Sequence, residues 1–273
     1  MVGQNLLGEF LRARREQLSP EDVGLSNNGH RRVRGLRREE VAELAEVSPD
    51  YYVRIEQGRQ MPSEQVTRTL ARALHLDDIA TTYLFDLARR PPDSSKCGRS
   101  REAAGLALQT LLDQWTATPA WVSDRCTNCI AANALATELN PSFKCGRNTL
   151  RDLVLQEQEK REIFINYEEC VSAAVASLRA RAGGHLNEPK VSTYVRELES
   201  ASPLFAQLWA KHEVRFHAAG YKILRHPVVG RLDFLSETMT VNDTDGYVMT
   251  LYYAEPGSET AEKVSELREL LAL

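Results

Sequence analysis

The segment Leu36–Pro62 constrains this chain more than any other, because its apolar spacing and its breaks favour a short helix, a tight turn and a second helix. Val41, Leu44 and Ala45 recur at helical spacing and form one apolar face. Glu46-Val47-Ser48 interrupts it. Ser48 suits the N-cap of the next helix, since its hydroxyl accepts an amide proton that the first turn leaves unpaired. Pro49 fits the first helical position, where a missing N–H does no harm. Ile55 points back to the core, Gly58 suits a left-handed stop, and Pro62-Ser63 begins another helix. This is the layout of a helix-turn-helix, which lays its second helix in a DNA major groove.

On that layout Pro49, Asp50, Tyr51 and Arg54 of the second helix face the bases. Arg54 is expected to pair with a guanine edge or a phosphate, and Asp50 either accepts from a cytosine amine or serves as a helix N-terminal acid. Tyr51 and Tyr52 are adjacent and so point different ways; register with Ile55 puts Tyr52 inward. Arg37, Arg38, Gln57 and Arg59 fall at helix ends, where phosphate contacts arise. Between residues 31 and 38 stand five arginines (Arg31, Arg32, Arg34, Arg37 and Arg38) and no acid, and no lysine precedes Lys96. Arginine's planar fork meets phosphate and guanine edges bidentately. Glu39, Glu40 and Glu43 follow directly, so the cluster also fits a solvated, charge-balanced face.

The chain has 273 residues, above the usual size of one core, so two domains are expected. Residues 1–90 parse as five helices: about 5–17, the two of the motif, 63–74 and 77–88, with a long connection over 19–35 that reads either as a functional loop or as carrying a short extra turn. Pro91-Pro92 ends the last of them, and residues 91–101 read as a linker. Residues 102–273 read differently. A helix over 103–114 precedes short strands at 119–124 and 127–132. Helical pieces fill 149–182, 190–200 and 203–212. Strands follow at 214–216, 221–226, 229–241 and 247–254, with an Asp-Gly turn before the last, and a helix over 258–271 closes the chain. The expected fold is therefore multidomain: an all-α N-terminal domain and an α+β C-terminal domain with an antiparallel sheet.

A net charge of −4 argues against indiscriminate binding of polyanions, although it hides local patches. No apolar run is long enough to span a bilayer, and the N-terminus lacks a signal-peptide pattern, so a cytoplasmic protein without membrane association is expected. No catalytic constellation stands out. The histidines show no metal spacing, and there is neither a phosphate-cradling glycine loop nor a nucleophile elbow. The reading is of a non-enzyme that requires no cofactor and holds no metal. Cys126 and Cys129 form a Cys-x-x-Cys with Cys145 beyond it, a spacing that can hold zinc or form a redox disulfide; they sit at a strand start rather than a helix N-terminus, and a tetrahedral set is incomplete without Cys170 or a histidine.

These motifs occur in the order of a known family. Residues 4–88 resemble a Cro/C1-type (XRE) DNA-binding domain, and GHRRVRGL, LRREEVAELA and SPDYYVRIEQGR resemble the version found in MmyB-like transcription regulators. NTLRDLV, LWAKHEV, KILRHPVVGRLDF and YAEPGSE continue the likeness downstream. The resemblance implies a PAS-like ligand-binding domain and a fatty-acid-like effector. Where that family usually carries an Ala-Trp-Asn, this chain has Ala131-Ala132-Asn133 and lacks the tryptophan, which leaves room for a different pocket.

A PAS-like sheet backed by helices leaves an interior suited to one elongated apolar ligand. Trp121, Ile130, Phe164, Trp209, Phe216, Ile223, Phe234, Met249 and Tyr252 are its expected lining, with Asn133, His212 or His226 fixing a polar head group. One helix-turn-helix reads only a short half-site, so a homodimer on an inverted repeat of double-stranded DNA is expected. Two alternatives are a thiol sensor built on Cys126 and Cys129, and an interaction module whose filled C-terminal core recruits a protein partner.

Overall fold

A computed structural model describes residues 5–25, 35–89, 101–215 and 220–273 of the chain, with only the backbone of residues 101 and 102. They fall into two compact units, Met1–Pro92 with Gly183–Ser192 and Ala210–Val214, and Asp93–Ala182 with Thr193–Trp209 and Arg215–Leu273. The first therefore holds two short segments of the expected C-terminal domain as well as the expected N-terminal one.

Among its described residues the first unit contains α1 (Leu6–Gln17), α2 (Arg38–Leu44), α3 (Pro49–Glu56), α4 (Glu64–Ala73) and α5 (Asp78–Ala88), with a 3-10 turn at Glu21–Val23 in the long connection. Their starts are set by side-chain caps. Asn5, Ser48, Ser63 and Asp77 each accept a backbone N–H of the first turn that has no partner within the helix. The turn between α2 and α3 is made by Glu46 at φ 57, and α3 is stopped before Gly58 at φ 70. Phe10, Leu11, Val41, Tyr52, Ile55, Leu70 and Leu84 fill the core. At Gly8, α1 comes so near α3 that a Cβ would lie 1.9 Å from the Glu56 carbonyl, so no larger residue fits. Asn5 Nδ2 donates to that same carbonyl at 2.7 Å.

The second unit is built on five strands, β1 (Ala120–Ser123), β2 (Cys129–Ala132), β3 (Tyr221–His226), β4 (Gly230–Thr240) and β5 (Val248–Tyr253). They form one antiparallel sheet in the order β2-β1-β5-β4-β3. Alternate residues of a strand face opposite sides, and the two sides differ here. On one, Ala120, Val122, Ala131, Met249 and Leu251 pack with Ala104 and Leu112 of helix α6 (Arg101–Asp113). The other carries Trp121, Lys222, Ser236, Thr238, Thr250 and Tyr252, in the register Trp121↔Thr250↔Thr238 and Ser236↔Tyr252.

The remaining helices are α7 (Ala134–Leu139), α8 (Thr149–Leu155), α9 (Glu157–Ile163), α10 (Tyr167–Ala182), α11 (Pro189–Ala201), α12 (Pro203–Trp209) and α13 (Glu259–Leu270). Three expectations change. The strand over 127–132 starts only at Cys129, because Thr127 (φ 61) sits in a turn closed by the Asp124 carboxylate on the Cys126 and Asn128 amides at 3.0 and 2.9 Å. Val214 and Arg215 form no strand, and Phe216 lies outside the described residues. The helix α7 was not foreseen; Asn133, read as a head-group ligand, is its N-cap.

Candidate DNA-reading surface and ligand cavity

In the first unit, α3 leaves Pro49, Asp50 and Arg54 exposed and Tyr51 half-buried, while Tyr52 and Ile55 are buried. Gln57 and Arg59 are exposed just past its end, and Arg37 is exposed ahead of α2. The Glu40 carboxylate accepts from the Arg37 amide at 2.6 Å and so fixes the start of α2. Arg38 is placed differently from its neighbour. Its guanidinium donates from Nε and Nη2 to Glu56 Oε1 at 3.0 and 2.8 Å. From the other side Arg15 reaches Glu56 with Nε and Nη2, and its Nη1 donates to the Leu36 carbonyl at 2.9 Å. Burial alone would raise the Glu56 carboxyl, but hydrogen bonds from Arg15 and Arg38 outweigh it and hold it below its ordinary value of 4.5. Arg31, Arg32 and Arg34 lie outside the described residues.

In the second unit a cavity of about 110 Å³ lies between the Trp121–Tyr252 face of the sheet and helices α8, α9 and α10. That is somewhat smaller than the roughly 150 Å³ engineered cavity that takes up benzene. Trp121 stacks on Phe143 with ring centres 3.9 Å apart, and Tyr252 stands edge-on to Trp121 at 4.9 Å. Leu150, Leu153 and Phe164 complete the apolar wall. The helix α10 adds Cys170, Ala174, Ser177 and Arg181, whose spacing of four, three and four puts them on one stripe. Of the expected lining residues, Trp121, Phe164 and Tyr252 are in place.

The others lie elsewhere. Met249 and Ile130 pack on the α6 side of the sheet. Phe234 is buried against Tyr252 with ring centres 5.8 Å apart, without reaching the cavity wall. The Ile223 carbonyl accepts from the Ile165 amide. Trp209 packs on Phe205 and on the Arg179 guanidinium, 3.7 Å from its ring centre. His226 Nδ1 accepts from the Val228 and Val229 amides and shapes the β3–β4 turn, while burial lowers its pKa. His212 belongs to the first unit, where its carbonyl accepts from Arg14 at 3.1 Å. Asn133 Oδ1 accepts from the Ala120 and Ala136 amides, and its Nδ2 donates to the Trp115 and Thr118 carbonyls, so both ends of its amide serve the backbone.

Three cations that sequence reasoning passed over line this cavity: Lys160, Arg181 and Lys222. Lys160 Nζ donates to Glu159 Oε1 at 2.9 Å and to Asn140 Oδ1 at 3.2 Å. Arg181 Nη2 donates to the Ser123 and Asp124 carbonyls and to Ser123 Oγ, and burial pushes its pKa down to about 10. Lys222 is buried, and that burial lowers its pKa. A lysine in a strand reads as a solvent-facing residue; only the even register it shares with Leu224 marks it as inward.

Among the described cysteines, Cys126, Cys129 and Cys170 are buried and Cys145 is exposed. Burial, with Cys145 nearby, pushes the Cys129 thiol up to about 12, the opposite of an activated thiolate. Its Sγ donates to the Phe143 carbonyl at 2.9 Å. Among the described residues no group of three His, Cys, Asp or Glu side chains is placed to hold a metal, and no helix is long and apolar enough to cross a membrane.

A DNA-reading helix on one unit and an internal cavity in an α+β domain on the other define a class, the ligand-regulated transcription regulators. Residues 6–83 match a helix-turn-helix domain, and residues 105–267 match the MmyB-like transcription regulator ligand binding domain. The second match spans more than half of the chain, which belongs to the MmyB-like transcription regulators. Comparison with curated proteins gave no match.

Proposed function

We propose that this chain is a cytoplasmic XRE-type regulator that binds an inverted-repeat operator as a homodimer and changes its operator affinity when a fatty-acid-like effector enters the C-terminal domain. The observation that carries the reading is the cavity: a partly open pocket walled by Trp121, Phe143, Leu150, Leu153, Phe164 and Tyr252 in the same chain as an exposed α3. A chamber whose surface is mostly apolar, with hydroxyls and cations converging on it, suits a small amphipathic guest. Ligand that binds only the folded state stabilises it by mass action, and an effector that alters operator affinity must itself be bound differently by free and DNA-bound protein.

The test pairs two measurements on the full chain. Native mass spectrometry reports dimer and any acyl chain retained from expression. Melting and operator titration are then followed with saturated fatty acids kept below their micelle threshold. A raised melting temperature together with a changed operator affinity supports the reading. No shift with any acyl chain, and no retained small molecule, favours instead a domain that recruits a protein partner.

A further inference from the structure

We infer that Lys222 selects the occupant of the cavity, and that this occupant carries an anionic group which pairs with the Lys222 ammonium. The inference rests on the ligand-binding reading above and assigns the residue that reads the acidic group of such an effector.

A cation taken out of water needs a partner, and an unpaired one is costly. Lys160 has Glu159 and Asn140. Arg181 is tied by Nη2 to Ser123 and to the Asp124 carbonyl, although its buried Nε has no hydrogen-bond acceptor. Lys222 has neither. It is 7% exposed, lines the cavity, and makes no ion pair or side-chain hydrogen bond among the described residues. The ionisable groups acting on it are the Cys170 thiol, which lines the same cavity and which burial holds toward its neutral form, and Glu169, which is exposed on α10 with its carboxylate engaged by Asn166 Nδ2 at 2.9 Å. No carboxylate side chain lines the chamber, whereas Ser123, Ser177, Ser236, Thr238 and Thr250 put hydroxyls on it. A cavity with an apolar body, hydroxyls and an unmatched ammonium is complementary to an amphipathic anion, and it rejects the neutral analogue because that guest leaves the charge unpaired.

The test uses matched acid and alcohol probes on the full chain by titration calorimetry: decanoate against decanol, and phenylpropionate against phenylpropanol. Wild type is expected to bind at least one acid on the order of tenfold more tightly than its alcohol. Lys222→Met, which keeps the stem and removes the charge, is expected to lose that preference while still taking the alcohol. Its ligand-free melting temperature is expected to hold or rise, because no native ion pair is broken. Alcohols bound as tightly as acids by wild type overturn the inference and leave the ligand reading standing. An acid preference that survives in Lys222→Met overturns the assignment to Lys222, and a marked fall in its melting temperature makes the lysine structural. Binding of none of the four probes removes the inference together with the acyl-ligand reading. The wild-type comparison needs no variant to fold, and Lys222→Gln repeats the test should the methionine variant aggregate.

Discussion

Arg15 of α1 holds Glu56 of α3 from two nitrogens, Nε to Oε2 at 3.1 Å and Nη2 to Oε1 at 3.2 Å, with both side chains almost wholly out of water. The pair fixes the angle at which α3 leaves the core, and therefore the direction in which Asp50 and Arg54 project. Removing one partner of a buried pair strands the other charge. Glu56→Ala is expected to destabilise the protein by about 3–5 kcal/mol in urea unfolding, more than removal of any exposed pair such as Arg68–Glu64.

The same pair sets an acid limit. The Glu56 carboxyl is held below its ordinary 4.5 in the folded chain, so the unfolded chain binds its proton first. The stability it contributes is fully present above 4.5 and is lost as pH falls through the folded value. Melting temperatures of wild type are expected to drop across that interval, and those of Glu56→Gln to drop less. Equal slopes for the two proteins would place the acid sensitivity elsewhere.

On DNA the exposed arginines are expected to separate by role. Arg54→Ala weakens the specific site by ~1–3 kcal/mol and random DNA far less if Arg54 pairs with guanine. Arg37→Ala weakens every sequence alike and reduces the salt slope by about one. Arg38→Ala lowers the melting temperature as well, because Arg38 is bound to Glu56. Competition titrations at several salt concentrations read all three, and equal losses on both DNAs for Arg54→Ala would reject base contact.

Asn133 is expected to behave as a joint of the sheet rather than as a ligand contact. Asn133→Ala removes an N-cap and leaves the buried Ala120 amide and the half-buried Trp115 and Thr118 carbonyls without their side-chain partner, at a cost of about 3 kcal/mol. Calorimetric melting should show this loss whether or not an acyl chain is present.

For the thiols, alkylation of the folded protein followed by peptide mass spectrometry should label Cys145 well ahead of Cys126, Cys129 and Cys170. Diamide should leave operator affinity unchanged. Fast labelling of Cys129, or an oxidant-dependent loss of binding abolished by Cys129→Ser, would restore the redox-sensor alternative.

The helices of the first unit were legible because their signals are local. Ser48, Ser63 and Asp77 announce their helices within one turn, and Gly58 ends one by its backbone alone. The strands were legible from alternation, but alternation states only that neighbours part company and not which of them faces the guest. That is why Met249 and Ile130 were expected in the cavity and instead meet α6, while Trp121 and Tyr252 are in it. Asn133 ahead of the run ALATEL was the available cue for α7, and its brevity hid it. The polar side of the chamber was beyond single-residue reading, because Lys222, Ser236 and Thr250 are ordinary residues of a half-exposed strand until the helices cover them.

The division of labour across the sheet has a further consequence. Odd and even positions of β1 and β5 answer to different neighbours, so inheritance can act on them separately. On the proposed reading, mutations at Trp121, Thr250 or Tyr252 would alter what the protein detects, while Ala120, Val122 and Leu251 keep the sheet packed on α6. Descendants of such a chain can drift toward new chemical signals one side chain at a time, without first passing through an unfolded ancestor.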